Sequence, residues 1–327
     1  MKRFENILLL YDGSIGSEAA LDRAQALAQR NDARLTVIDV IQRRPRDLFS
    51  RLIAPRPEEL LEHRGQLSER CLQLKRLVQT LDLDDARVAV EVRDGITFVE
   101  AIRKVLRDDH DLVIMTPDRW TGVRPFAFGS TTMHMQRKCP CPVWVVAPDA
   151  PTPYRRILAA IDPAGPDDLA HGLDRKILEL ASSLSSSEES QLDVLHAWDL
   201  QGADRDMVRS GITNEKAEDI LNRARTGYEA TVRGLFSKAD LDREEPAIHL
   251  PHGKPWEIIP QFAAAEDVDL LVMGTITRTG IAGLFIGDNA ELVLQQVSCS
   301  VLALKPDGFQ TPVTLEDGDW LPRQVAG

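Results

Sequence analysis

The chain has 327 residues, 43% of them apolar and 28% charged, a globular balance with material for about two hydrophobic cores. Asp and Glu outnumber Lys and Arg by 51 to 39, and the net charge of −12 excludes a broad surface for nucleic acid or anionic lipid. The 4 cysteines have no paired spacing, which excludes a disulfide framework and reads Cys139 and Cys141 as buried, reduced packing residues.

In chain order, residues 7–10 form an apolar run too short for a signal-peptide core or a membrane span, so a cytoplasmic location is expected. This run predicts the first strand, which closes on Tyr11-Asp12-Gly13-Ser14. Ala20, Leu21, Ala24, Leu27 and Ala28 then make one helical stripe, with Ser14 or Ser17 as its N-cap. A second strand covers residues 35–40. The arginine group Arg43, Arg44, Arg46, Arg51 and Arg56 reads as a solvated or partner-facing loop. Leu67, Cys71, Leu74, Leu77, Val78 and Leu81 mark a longer helix. Residues 112–115 are a continuous apolar run, the pattern of a strand buried on both faces.

After the Pro-rich connector Ala147-Pro148-Asp149-Ala150-Pro151-Thr152-Pro153, the same order starts again. Asp12 falls on Asp162, Leu35 on Leu192, Met115 on Met273, Gly129 on Gly287, and Cys141-Pro142-Val143 on Cys299-Ser300-Val301. The run from Ser182 to Ser187 reads as extra polar loop in the second copy. The expected organisation is a first domain over residues 1–147, a linker over 148–154, a second domain over 155–305 and a tail over 306–327. Strands alternating with helices predict an α/β class, with two tandem, doubly wound, five-stranded parallel-sheet domains.

Ligands of such sheets bind at strand carboxyl ends, where the strand order reverses. Two features of each copy fall there. One is the aspartate closing the first strand, Asp12 or Asp162. The other is the loop leaving the fourth strand, which in the second copy runs from Gly274 through Thr277, Gly280 and Gly287 to Asp288-Asn289. Glycines at these places permit convergent backbone N–H groups, and a helix starting near Asp288 adds its dipole.

These residues resemble the universal stress proteins, a branch of the adenine-nucleotide-binding α/β superfamily. The family loop has a Gly, two residues, a Gly, nine residues, then Gly followed by Ser or Thr. Here Gly274 takes the first position, Thr277 the second and Gly287 the third, while Asp288 stands in place of the hydroxyl residue. In the first copy Thr116 and Arg119 replace both early glycines, and Gly129-Ser130 keeps the ending. The resemblance covers residues 4–147 and 155–305, and the tail from Lys305 to Val313 is similar to that of tandem, E-type members.

The resemblance implies ATP or another adenine nucleotide in the second domain, bound by Asp162, Gly274, Thr277, Gly280, Gly287, Asp288 and Asn289. A magnesium ion would be needed if Asp288 faces the phosphates, because two like charges ~4 Å apart cost about 4 kcal/mol at an effective dielectric near 20. The second-choice site is Asp12, Gly13, Ser14, Arg119, Gly129 and Ser130 in the first domain, where Pro117 and Pro125 remove loop N–H donors. His196 ends a strand beside the expected adenine position. His249 and His252 lack an evident third metal ligand, and no metal is expected. Lys254 reads as a loop lysine within reach of a phosphate.

No nucleophile elbow or metalloprotease pair is present, so an efficient enzyme is not expected. The leading expectation is a stress-response protein acting through ligand-dependent interaction with a protein partner, without nucleic acid or membrane. Alternatives are a nucleotide-free scaffold or binding module for an apolar metabolite, with Phe98, Phe126, Phe128, Trp144 and Trp256 as aromatic candidates, and a slow ATPase. The apolar last strands, residues 143–146 and 301–304, predict an intramolecular pseudo-dimer, with homodimerisation as a further option.

Overall fold

The computed structural model describes residues 4–14, 16–42, 57–117, 128–163, 168–199, 214–237, 239, 246–275 and 288–315. The side chains of 57–60, 168–171, 214 and 288 fall outside that description.

In the first half, β1 (Asn6–Leu10), β2 (Arg34–Gln42), β3 (Val88–Gly95), β4 (Leu112–Met115) and β5 (Val143–Val145) form a parallel sheet in the order β3-β2-β1-β4-β5. The crossovers carry α1 (Ser17–Asn31), α2 (Pro57–Val78), α3 (Thr97–Asp108) and α4 (Ser130–Lys138). The second half repeats the order: β6 (Arg156–Ala160), α5 (Asp168–Glu188), β7 (Gln191–Leu195), α6 (Asn214–Phe236), β8 (Ala247–His249), α7 (Pro255–Ala265), β9 (Leu270–Gly274), α8 (Asp288–Leu294) and β10 (Ser300–Leu304). Its strands lie in the order β8-β7-β6-β9-β10. Each half is therefore a doubly wound, five-stranded α/β unit. In each, the order reverses beside the central strand: at β1 and β4, and at β6 and β9.

The register of the two copies agrees. Leu10 lies opposite Ile38 and Met115, and Ala160 opposite Leu195 and Met273. The matched aspartates before β4 and β9 have the same task. Asp111 accepts the backbone N–H groups of Glu5 and Asn6, and Asp269 those of Arg155 and Arg156. Each ties the start of the central strand to its neighbour, which explains why both copies carry the same acid there.

Apolar strand residues fill the cores, with Ile7, Leu9, Leu112 and Ile114 buried in the first half and Ile157, Leu270, Leu271 and Leu302 in the second. The α1 stripe faces inward as its spacing predicts, with Ala20, Leu21, Ala24, Leu27 and Ala28 all buried. The α2 stripe is only half-buried except at Leu74, because α2 packs on the edge strand β3. Cys139 is buried and Cys141 half-buried, their Sγ atoms 3.5 Å apart as free thiols. Described residues of the carboxyl-terminal segment pack on the first half, where Arg103 Nε donates to the Thr314 carbonyl (3.1 Å). Among the described residues no helix is long and apolar enough to cross a membrane.

Two local expectations are corrected. Neither Ser14 nor Ser17 caps α1: Gly16 takes the cap position in the left-handed region, and Ser17 is already helical. The cause is Asp12, whose carboxylate draws the Ser17 hydroxyl toward itself. The Ser182–187 run is helix rather than loop. Ser182 and Ser185 lie on the buried side of α5 with Ala181 and Leu184, and Ser187 Oγ donates back to the Leu184 carbonyl. Ser185 tolerates burial there because its hydroxyl donates to the Ser190 carbonyl (2.7 Å).

Candidate functional site

The carboxyl edge of each sheet is built from the same positions but is arranged differently. In the first half, β1 leads into Asp12, whose Oδ1 accepts the Ser14 N–H (2.9 Å) and the Ser17 hydroxyl (2.8 Å). This is an Asx turn, and it occupies the carboxylate with its own chain. Gly13 follows at φ +73°, and a Cβ there would lie 3.0 Å from Arg70 Nη2. Arg70 reaches over from α2. Its Nε donates to Asp39 of β2, its Nη1 to Gln73, and its guanidinium lies 6.0 Å from the Tyr11 ring centroid. The ends of β1 and β2 are thus covered by an anchored arginine. Gly129 caps α4 and Ser130 begins it, exposed and making no side-chain cap bond. Arg119 lies outside the described residues.

In the second half, β6 ends at Ala160, and Ile161 and Asp162 follow, the Asp162 side chain 66% exposed. Its backbone N–H donates to Asp174 of α5 (3.0 Å). Beside it, His196 is 2% exposed; its Nδ1 donates to the Ile161 carbonyl (3.2 Å) and lies 3.9 Å from Asp162 Oδ1. The ring meets Tyr228 of α6 edge-on at 4.8 Å, Tyr228 meets Trp198 at 5.3 Å, and Trp198 meets His252 at 4.7 Å. An aromatic group therefore lines the ends of β7 and β8.

On the other side of the strand reversal, Gly274 ends β9. A Cβ there would come within 2.7 Å of Leu173 Cδ2, so close packing of α5 is one reason for glycine at this place. Thr275 is fully buried and accepts from the Lys305 ammonium (2.7 Å). Lys305 directly follows β10, is 5% exposed, and sits 5.6 Å from the Phe309 ring. By strand register, Asp162 and Lys305 flank Thr275 from its two neighbouring strands. Adjacent strands are about 4.8 Å apart, so the backbones at Asp162 and Lys305 stand roughly 10 Å apart along this edge, with the Lys305 ammonium turned in to Thr275 between them.

Of the second-copy site residues, the structure brings Asp162 and Gly274 to one edge and places Asn289, exposed, in the first turn of α8. Thr277, Gly280 and Gly287 lie outside the described residues, as does the Asp288 side chain.

Comparison with known proteins settles the family. The profile of the universal stress protein family matches residues 3–147 and 153–305. The chain belongs to the universal stress protein family. Universal stress protein E of Salmonella typhi is 29% identical over 327 residues, covering 98% of this chain and all of that one. Universal stress protein E of Escherichia coli K12 is 29% identical and covers 97% of this chain and 99% of its own length. Among solved structures, a Pseudomonas aeruginosa protein described as functionally unknown aligns over 94% of both chains with a TM-score of 0.67 at 22% identity. A universal stress protein of Archaeoglobus fulgidus aligns over 92% of this chain and 98% of its own, with a TM-score of 0.55 at 15% identity. The structural likenesses bear on fold alone.

Within this universal stress protein pair of domains, the remaining candidates have local partners. His249 Nε2 donates to Asp193 (2.8 Å) and its ring packs on Phe262 at 4.7 Å. His252 packs on Trp198 instead, so the two histidines go to different neighbours. Among the described residues no group of three His, Cys, Asp or Glu side chains is placed to hold a metal. Lys254 precedes α7, its ammonium 5.1 Å from the Trp256 ring.

Sequence reasoning missed Arg70, Tyr228, Trp198 and Lys305. Lys305 had a signal: it falls on Ala147 of the first copy, a charge where its duplicate has a methyl group.

Proposed function

We propose that the chain is a stress-response protein that holds an adenine nucleotide at the carboxyl edge of its second sheet and signals the occupied state to a protein partner. The observation that carries this reading is the contrast between the matched aspartates. Asp12 is committed to Ser14 and Ser17, beneath a loop covered by Arg70. Asp162 instead presents its carboxylate beside the strand reversal, where ligands of this class of sheet lie. Lys305 adds the second support. Its ammonium, held on Thr275 at the same edge, puts positive charge on the side of the strand reversal where an anionic ligand would lie. Its charge also opposes the repulsion that Asp288 would exert on a phosphate. These residues fit a nucleotide, with Asp162 toward the base, the edge of Tyr228 and His196 as an apolar wall, and Lys305 toward the phosphates. Nothing in this set supplies a nucleophile or a placed general base, so tight holding rather than turnover is the expected chemistry.

A second reading, a module for an apolar metabolite, draws support from the aromatic group of Trp198, Tyr228 and His252. Native mass spectrometry of the freshly purified chain, before and after adding Mg-ATP, separates the two. One adenine nucleotide per chain is expected. A lipid-like mass that ATP does not displace favours the second reading, and no adduct at millimolar ATP overturns the first.

A further inference from the structure

The amino edge of the first sheet, at the opposite end from Asp12, contains a cavity of about 370 Å3 lined by Asn6, Arg34, Thr36, Arg87, Asp108 and His110. It opens where β1, β2 and β3 begin and α3 ends. His110 is 4% exposed, and neither ring nitrogen is in hydrogen-bond geometry with a partner. Burial lowers its pKa, partly offset by the nearby Lys104 backbone and then by the carboxylates of Asp108 and Asp111. The ring is therefore neutral near pH 7, offering one N–H and one lone pair. Buried imidazole nitrogens left unpaired are a cost that a ligand removes.

The charges on the wall are unbalanced in one direction. Arg87 uses Nη1 on Asp32. The Asp108 carboxylate is engaged by Lys104 (2.8 Å). Arg34 makes no ion pair or side-chain hydrogen bond among the described residues.

The second copy shows what the same corner looks like when it closes on itself. Strand register equates Asn6 with Arg156, Arg34 with Gln191 and Thr36 with Asp193. There Asp193 accepts from both Arg156 Nε (2.7 Å) and Gln191 Nε2 (3.2 Å). The position of His110 is taken by Val268, which is buried and apolar. The first copy lacks the acid, carries its arginine at position 34 where the second copy has Gln191, has Asn6 where the second copy has Arg156, and adds a histidine. Packing does not require the histidine, since valine fills the duplicate position.

We propose that this cavity binds a small phosphate-class oxyanion, free or as a phosphomonoester, gripped by Arg34 and Arg87 and hydrogen-bonded by Thr36 and the His110 ring. Paired guanidinium groups around a neutral donor suit a compact, multiply charged anion.

The test is an NMR titration of the His110 ring signals with inorganic phosphate, then with glycerol phosphate, against chloride at matched ionic strength. A saturable shift is expected with phosphate and not with chloride. Tighter binding of glycerol phosphate identifies an ester, and equal binding identifies the free ion. Arg34→Gln, which copies the second domain, should keep the unfolding midpoint and weaken binding at least about tenfold. His110→Val, also copied from the second domain, should fold and lose the calorimetric binding signal. A shift that never saturates, an equal response to chloride, or unchanged affinity in Arg34→Gln overturns the proposal.

Discussion

Asp162→Ala is expected to weaken adenine-nucleotide binding about tenfold to a hundredfold, the loss of one hydrogen bond to a charged acceptor of roughly 1.5–3 kcal/mol. The fold should be little affected, because Asp162 is largely exposed and its contact with α5 is made by its backbone N–H, which alanine retains. Asp12→Ala should behave in the opposite way. Its carboxylate holds the Ser14 N–H and the Ser17 hydroxyl, so removal costs about 0.5–1.5 kcal/mol of first-domain stability. Titration calorimetry with Mg-ATP and thermal unfolding of both variants check the pair. Equal affinity in Asp162→Ala and wild type would remove the base contact from the account.

Trp144→Ala should destabilise the first domain by about 3–5 kcal/mol, the range for deleting a fully buried large side chain. Trp144 is the largest wholly buried side chain of the chain's described core, and the buried guanidinium of Arg23 lies 5.4 Å from its ring centroid. Removing the ring leaves a cavity and takes an aromatic face from a charge that is itself 2% exposed. For a domain of about 150 residues each kcal/mol moves the midpoint by roughly 2–4 °C, so a fall of about 6–20 °C is expected. Trp144→Leu should be milder, since Leu302 occupies the matched position of the second copy. Calorimetric unfolding measures both, and a shift below about 2 °C for the alanine variant would contradict the packing argument.

The duplication was legible because strands buried on both faces leave continuous apolar runs, and two sets of runs in one order align themselves. The strand-end aspartates and Gly274 were legible for a related reason: a doubly wound sheet sends its functional positions to fixed places in sequence. The cover over each site was not. Arg70 reaches Tyr11 from a helix some sixty residues away, and the group of His196, Trp198 and Tyr228 joins a strand end to the middle of α6. Such contacts depend on how a helix is rotated against the sheet, which helical periodicity leaves open when the stripe is only half-buried. Lys305 was obscured by its setting before Pro306, where it reads as the start of a polar tail. The Ser182–187 run misled for a simpler reason, since serine favours turns in isolation, and burial of Ser182 and Ser185 on one face of α5 with Ala181 and Leu184 outweighs that preference.

The measurement that tests the central claim most directly is a methyl-labelled NMR titration of the intact chain with Mg-ATP. Saturable shifts are expected at Ile161, Thr275 and Leu304, around the end of the second sheet, with one nucleotide per chain and quiet signals at Leu10, Ile38 and Val145. Shifts confined to the first-half residues, or no saturation at millimolar nucleotide, would contradict it.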